Sequence, residues 1–192
     1  MIAAIVLTAG KSERMGGRPK ALLQFEGRTF LEHVLGAIGS AGITRVAVVV
    51  GHHRNEIVSA LSLPTVVFNP NFEQGMSTSV QAGIQALPSG VTGAGIFLVD
   101  HPLIDSTTIR VLYTQLQPGR IALPIHRGRR GHPVFFSSEL FGEILALSAD
   151  QGLNVVVRRD AGRVTEVPIA NAGVLRDIDT PEEFEKLLHE GR

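Results

Sequence analysis

Short apolar runs rich in β-branched residues alternate along this chain with longer segments of helical periodicity, and glycine or proline stands at most of the joins. Several of the runs are apolar without alternation, which is typical of strands covered on both faces. The alternation predicts a three-layer α/β/α fold with a mostly parallel, Rossmann-like sheet. The predicted strands are Ile2–Leu7, Arg45–Val50, Thr65–Phe68, Gly95–Val99 and Ile121–Pro124.

Capping signals mark where the helices begin. Thr29 and Glu32 form a capping box, and Thr180 stands as a cap before Pro181 in the first helical position. In a mostly parallel sheet the carboxyl ends of the strands share one edge, and ligands bind there. The loops that follow strands are therefore the places to search for chemistry. The predicted helices cover residues 30–42, 75–87, 105–117 and 181–188.

Length and composition predict one domain over residues 1–192. Of these 192 residues 44% are hydrophobic, which is enough to form one buried core. The chain is too short for two ordinary domains.

Eighteen basic residues balance eighteen acidic ones, so we expect no binding to nucleic acid or to an anionic membrane, and any anion site must be local. The absence of cysteine excludes disulfides, thiolate metal sites and cysteine nucleophiles. The apolar start lacks a basic region and stops at Gly10, so we expect no signal peptide and a cytoplasmic protein.

The loop after the first strand, GKSERMGGRPK, is rich in glycine and in basic side chains. It is not a Walker A loop, because that motif needs a glycine where this chain has Ile5. Its glycines also fail the G-x-G-x-x-G spacing of dinucleotide-binding loops. We therefore predict that its backbone N–H groups wrap a polyphosphate, while Arg14 and Lys20 add positive charge. An exposed turn with incidental charges is the alternative.

Two aspartates stand at positions suited to a metal ion. Asp100 closes the apolar strand GIFLVD, and Asp179 lies just before the last helix. Such a pair can hold Mg²⁺, which takes one or two protein oxygens and fills its shell with water and substrate phosphates. For Asp179 the alternative is a capping network shared with Thr180. Asp105 is interpreted as the N-cap of the helix that follows it.

The segment QGMSTS precedes a helix and places small hydroxyl residues in its first turn. Free N–H groups and the helix dipole favour a bound phosphate there. We predict Gly75, Ser77 and Ser79, with Asn69 nearby, as residues that bind the second substrate. Ordinary capping by Ser77 or its neighbour is the alternative.

Two histidine motifs have both functional and structural interpretations. His132 in RRGHPVFF either binds the second substrate or is a structural histidine ahead of a strand. The pair His52–His53 resembles a metal-binding pair but has no third ligand at helical spacing, so a solvated loop after a strand is favoured.

The motif LTAGKSERMGGRPKALL resembles the L-[AT]-[AG]-G-x-S-x-R-M-G signature, leading into a lysine, of the MobA-like nucleotidyltransferases that activate molybdenum cofactor, sugar phosphates and related compounds. NPNFEQGMSTSVQAGI, LVDHPLI, RGHPVFF and DIDTPEEF follow in the family's order, so the resemblance covers nearly the whole chain. It implies the nucleotide-diphospho-sugar transferase type of fold. Within the family the chain is most similar to molybdenum cofactor cytidylyltransferases, because guanylyltransferases usually have Gly-Gly where this chain has Ala9–Gly10. Two residues depart from the cytidylyltransferase pattern: His101 replaces a usual glutamine and Thr8 a commoner alanine.

The resemblance also implies roles for individual residues. Arg14 and the backbone of residues 10–17 would grip the β- and γ-phosphates, and Lys20 would stabilise the α-phosphate. Mg²⁺ on Asp100 and Asp179 would bridge to the attacking phosphate, and His132 would contact the acceptor. The implied catalytic residues are Lys20, Arg14 and Asp100. The implied nucleotide-binding residues are Leu7, Thr8, Ala9, Gly10, Arg14 and Lys20.

The activity implied is Mg²⁺-dependent transfer of CMP from CTP to the phosphate of molybdopterin cofactor, with release of pyrophosphate. The product would pass to a molybdoenzyme or its chaperone through a transient contact. Use of GTP, or of a sugar or polyol phosphate as acceptor, is the enzymatic alternative. A non-catalytic molybdenum cofactor chaperone is the alternative from another class, and the presence of Lys20, Asp100 and Asp179 argues against it.

Overall fold

The computed structural model describes residues 1–190, in which eight strands form one sheet with helices on both of its faces. The sheet follows the order β10-β7-β9-β6-β1-β4-β5, with β8 paired to β7, while β2 and β3 form a separate hairpin. The strands are β1 (Ile2–Thr8), β2 (Gln24–Phe25), β3 (Arg28–Thr29), β4 (Arg45–Val50), β5 (Thr65–Phe68), β6 (Gly93–Leu98), β7 (Ile121–His126), β8 (Arg129–Arg130), β9 (Val134–Ser137) and β10 (Val164–Pro168).

Seven α-helices of the described residues cover the sheet. The capping box of the first is formed: the Thr29 hydroxyl accepts from the Glu32 N–H at 3.2 Å, and the Glu32 carboxylate accepts from the Thr29 N–H at 2.7 Å. Within residues 1–190 no helix combines the length and the hydropathy needed to cross a bilayer. The helices are α1 (Phe30–Ser40), α2 (Arg54–Ala60), α3 (Met76–Gln85), α4 (Ser106–Thr114), α5 (Phe141–Leu145), α6 (Asn154–Arg159) and α7 (Pro181–Glu190).

The sheet is mostly parallel, which confirms the predicted three-layer α/β/α fold. Strand β1 pairs in parallel with β4 and with β6, and β10 pairs in parallel with β7. The exceptions are β9, which runs antiparallel between β6 and β7, and the short β8, which pairs antiparallel with β7. The carboxyl ends of β1, β4 and β6 therefore meet at one edge, where β9 begins.

Side chains of β1 alternate between two apolar cores on opposite faces of the sheet. Ala4 and Val6 pack with buried residues of α1, α2, α4 and α7, whereas Ile5 and Leu7 pack with those of α3, α5 and α6. Helix α3 lies close against β1 because Gly83 has no side chain: a Cβ there would lie 2.4 Å from Ile5 Cγ2. This close contact fixes the start of α3 beside the carboxyl edge of β1.

Candidate active site

A cleft of about 450 Å³ opens at the carboxyl edge of the sheet. One wall is the end of β1 with the loop that follows it, and another is the start of α3. Asp100, which follows β6, also lines the cleft. Every predicted nucleotide-binding residue is in the lining: Leu7, Thr8, Ala9, Gly10, Arg14 and Lys20.

Lys20 lies between the two aspartates predicted as metal ligands. Its ammonium donates to Asp100 Oδ2 at 3.2 Å and to Asp179 Oδ1. Arg14 Nη1 contacts the other oxygen of Asp179 at 2.7 Å. The Lys20, Asp100 and Asp179 side chains are 14%, 23% and 17% exposed, whereas Arg14 is 74% exposed. The fold thus brings together four charges that lie far apart in the sequence.

Backbone hydrogen bonds fix the two aspartates. The Ile178 N–H donates to the Asp100 carbonyl at 2.9 Å, which ties the segment before α7 to the end of β6. The N–H groups of Asp179 and Thr180 donate to Glu183 Oε2 at 2.7 and 3.0 Å. Asp179 therefore joins the start of α7 through its backbone and directs its carboxylate at Lys20.

The capping interpretation of Asp105 is confirmed. Its carboxylate accepts a hydrogen bond from the Thr108 N–H at 2.6 Å at the start of α4. Asp105 therefore has a structural role that differs from that of Asp100, although only four residues lie between them.

The charges around Asp179 keep it ionised. Burial by itself raises the pKa of this carboxyl, but the hydrogen bond and positive charge of Lys20, with the charge of Arg14, hold it below its usual 3.8. Asp179 is therefore a carboxylate at neutral pH, the form that binds a cation.

The arrangement fits a hard divalent cation. Asp100 Oδ1 is buried and has no hydrogen-bond partner within residues 1–190, while Asp100 Oδ2 and Asp179 already converge on one ammonium. The described part of the chain has no group of three or more His, Asp or Glu side chains arranged for a metal. An ion on these two carboxylates would draw its other ligands from water and phosphate, as Mg²⁺ commonly does.

The glycine-rich loop is shaped by left-handed backbone at Ser12, Gly16 and Gly17. Its second half is bonded to itself, since the N–H groups of residues 15–17 donate to the carbonyls of Ser12 and Glu13. The N–H groups of residues 10–12 have no hydrogen-bond partner in the part of the chain that the structure describes. The donors free for a phosphate are thus concentrated in the first half of the loop.

Thr8, one of the two departures from the cytidylyltransferase pattern, has a structural bond. Its buried hydroxyl donates to the Val49 carbonyl at 2.9 Å and joins β1 to β4. Because the Thr8 hydroxyl is used in this bond, we expect Thr8 to contribute mainly its backbone to the cleft.

The predicted acceptor-binding residues divide into two groups. Gly75 and Ser79 line the cleft, whereas Asn69 and Ser77 do not. The Ser77 hydroxyl donates to the Ala149 carbonyl at 3.2 Å, and the buried Asn69 amide donates to Ser79 Oγ at 2.9 Å. Gly75 has φ +136°, and a Cβ there would lie 2.3 Å from the Ala149 carbonyl oxygen, so only glycine fits.

His132 lies outside the cleft, beside His101, with 5.3 Å between the ring centroids. Burial, together with the charge of His101, lowers the pKa of His132 to about 4, against the opposing effect of Asp177. His132 is therefore neutral at pH 7. His101 Nε2 lies 3.9 Å from Asp100 Oδ1, so His132 is connected to the charged site through His101.

The prediction of a solvated loop at His52–His53 is wrong for His53. This ring is buried, lines the cleft and precedes α2. Its Nδ1 lies 2.8 Å from Glu56 Oε1 and its Nε2 lies 3.2 Å from the Lys11 carbonyl oxygen. In the sequence, only Glu56, three residues after His53, could have indicated these contacts, because the other partner, Lys11, is 42 positions away.

Residues 4–164 match the MobA-like NTP transferase domain. The chain belongs to the MobA-like NTP transferase family. It is a nucleotidyltransferase, and the implied superfamily is thereby confirmed.

Proteins that are similar to this chain carry different names. Molybdenum cofactor cytidylyltransferase of Escherichia coli K12 is 32% identical, over 95% of this chain and 93% of its own. Nicotine blue oxidoreductase of Paenarthrobacter nicotinovorans is 28% identical, over 97% and 96%. The crystal structure of Rv0371c from Mycobacterium tuberculosis H37Rv has a TM-score of 0.87 at 28% identity, covering 98% of this chain and 97% of that one. Its complex with manganese has a TM-score of 0.82 at 25% identity, covering 98% of both chains.

Proposed function

We propose that this MobA-like NTP transferase transfers CMP from CTP to the phosphate of molybdopterin cofactor, with Mg²⁺, in the cytoplasm, releasing pyrophosphate. The observation that carries the proposal is the Lys20 ammonium between Asp100 and Asp179 at the rim of the cleft. The similarity to the Escherichia coli cytidylyltransferase over nearly the whole chain supports the choice of CTP and of a molybdenum cofactor acceptor.

The nucleotide would lie along the end of β1 and the loop after it. Residues 7–12 line the cleft, so residues 7–9 would lie beside the base and the free N–H groups of residues 10–12 would face the triphosphate. Arg14 is exposed, and its guanidinium is held at the site by the Asp179 carboxylate. A terminal phosphate can therefore contact the exposed side of the guanidinium. Lys20 would add a positive charge for the α-phosphate, where negative charge develops as pyrophosphate leaves.

The acceptor would approach from the wall that contains Gly75 and Ser79. A phosphate monoester carries about −1.5 to −2 charge near neutral pH, so its oxygen attacks the α-phosphorus without a general base. The chain's task is to hold two polyanions in line and to offset their mutual repulsion. Asp100 and Asp179 would hold Mg²⁺, which supplies further neutralisation of phosphate charge.

Pyrophosphate release tests the proposal directly. Purified protein is given Mg²⁺, molybdopterin cofactor and either CTP or GTP, and we expect release with a preference for CTP. A preference for GTP would contradict the base assignment and leave the family unchanged. The chaperone alternative would gain support if Lys20→Ala delivered cofactor to a partner enzyme undiminished while neither chain transferred CMP.

A different phosphorylated acceptor is the second candidate. The observation that favours it is His101, a buried imidazole beside Asp100 where the cytidylyltransferase pattern has glutamine. The same assay with sugar and polyol phosphates separates the two: faster turnover with one of these than with molybdopterin cofactor would replace the pterin acceptor. Redox chemistry, suggested by the name of one relative, gains no support from the first loop, which lacks the glycine spacing of dinucleotide-binding loops.

A further inference from the structure

His53 is a buried histidine whose two ring nitrogens both face oxygen atoms. Nδ1 lies 2.8 Å from the Glu56 carboxylate, and Nε2 lies 3.2 Å from the Lys11 carbonyl. A carboxylate and a carbonyl oxygen can only accept hydrogen bonds. The contact of Nε2 is therefore a hydrogen bond in which Nε2–H donates to the Lys11 carbonyl.

Glu56 is the acidic residue that faces His53, and the ring is the donor to the loop. The Glu56 side chain is 58% exposed. The His52 ring packs edge-on at 4.6 Å between centroids, and the Lys11 ammonium is turned away to Glu73, at 2.7 Å. No other acidic side chain within residues 1–190 pairs with His53.

The contact with Lys11 fixes the orientation of one peptide unit of the nucleotide loop. In a trans peptide the carbonyl and the next N–H point in opposite directions. Anchoring the Lys11 carbonyl on His53 therefore turns the Ser12 N–H away from His53, and within residues 1–190 this N–H has no hydrogen-bond partner. The neighbouring backbone supports the same loop, since the His52 N–H donates to the Ala9 carbonyl at 3.2 Å.

We propose that His53 is a positioning residue: Glu56 holds its ring at Nδ1, and its Nε2–H holds the Lys11 carbonyl, so that the Ser12 N–H is fixed in place for the triphosphate. The proposal rests on the proposed function for the identity of the ligand, a nucleoside triphosphate. His53 acts through the loop, and its ring lines the same cleft as Lys20. Its loss should therefore weaken triphosphate binding more than it slows the chemical step.

Nitrogen-15 NMR of the histidine side chains tests the protonation state without any activity. With the protein labelled on its histidine rings, we expect His53 Nε2 to show the shift of a ring nitrogen that carries a proton. His33 is the internal comparison, because its Nε2 also faces a carbonyl oxygen, that of Phe25. Loss of one set of signals in His53→Gln assigns the spectrum. A His53 ring without a proton on Nε2 would overturn the proposal, whether or not the chain is a cytidylyltransferase.

Steady-state kinetics test the positioning role. In His53→Gln we expect KM for CTP to rise about tenfold, as for loss of one hydrogen bond, with kcat within about twofold of the parent. Glu56→Gln should raise KM less, because a glutamine amide can donate to Nδ1 and leave Nε2–H on the Lys11 carbonyl. His189→Gln, at an exposed position on α7, is the matched control and should change neither constant.

An unchanged KM in His53→Gln would overturn the positioning role. If neither CTP nor GTP supports turnover, calorimetric titration of the parent and His53→Gln with CTP alone provides the comparison. In that titration about tenfold weaker binding by the variant supports the role of His53 even though the proposed reaction has failed, and equal binding overturns it.

Discussion

At the scale of single residues, Lys20 is the side chain on which the proposed chemistry most depends. Replacing it by alanine removes one ammonium from two carboxylates and from the proposed α-phosphate site. We expect kcat for pyrophosphate release to fall by about a hundred- to a thousand-fold, the usual cost of removing one group that stabilises transition-state charge. Lys186→Ala, at an exposed position on α7, is the control and should retain full activity. A Lys20→Ala variant within about fivefold of the parent would contradict the assignment.

His132 should make stability depend on pH in mildly acidic solution. Its pKa is about 4 in the folded chain and near 6.5 when unfolded, so between these values the unfolded chain binds a proton that the folded chain does not. Stability is therefore lost as pH falls from 6.5 to 4, by on the order of 3 kcal/mol in all. Urea unfolding at pH 7.5, 5.5 and 4.5 should show a shallower pH dependence in His132→Gln than in the parent. Equal slopes for both chains would show that His132 is not the group responsible.

Residues at the ends of strands could be predicted from the sequence, and residues that act through neighbours could not. Asp100 and Lys20 were predictable because strand ends and basic loops have local signatures, and the fold then brings them together. His53 was not, because its partner Lys11 lies on another loop and the contact depends on how β4 is placed beside β1. Ser77 has the right residue type and position for a phosphate contact, yet its hydroxyl already donates to the Ala149 carbonyl.

At the scale of elements, the packing of α3 on β1 gives a matched pair of glycine substitutions. Gly83→Ala inserts a methyl group against Ile5 in a filled core, and we expect overpacking of about 1–3 kcal/mol to exceed the gain of roughly 1 kcal/mol in helix propensity. Gly39→Ala lies in α1 with no atom within 4 Å of the new methyl group, so it should stabilise by up to about 1 kcal/mol. Urea denaturation of both variants measures the difference. If both were stabilising, α3 would have room to move off β1.

The elements that were predicted share strong local patterns. All five predicted strands are present, with ends within two residues, and the four predicted helices are α1, α3, α4 and α7. The position of β9 was not predictable from local pattern. Its four residues pair antiparallel with β7 and with β6, and their partners in β6 lie 38 or more residues earlier in the chain. Helices α2, α5 and α6 have five to seven residues, too few for helical periodicity to stand out.

At the scale of the whole molecule, the two cores should unfold together. Neighbouring residues of β1 belong to opposite cores, so neither core can separate while β1 stays in place. We expect one calorimetric transition whose van't Hoff and calorimetric enthalpies agree. This result would support a single domain over residues 1–192, which remains a prediction. Two resolved transitions would contradict it.

The antiparallel strand β9 sets a border to the site. Because β9 runs opposite to β6, the carboxyl edge shared by β5, β4, β1 and β6 ends at β6. Asp100 follows β6 and therefore stands at the border of this edge, whereas the loop after β1 lies inside it. Sequence changes beyond β9 can accordingly accumulate without moving the wall formed by β1 and its loop.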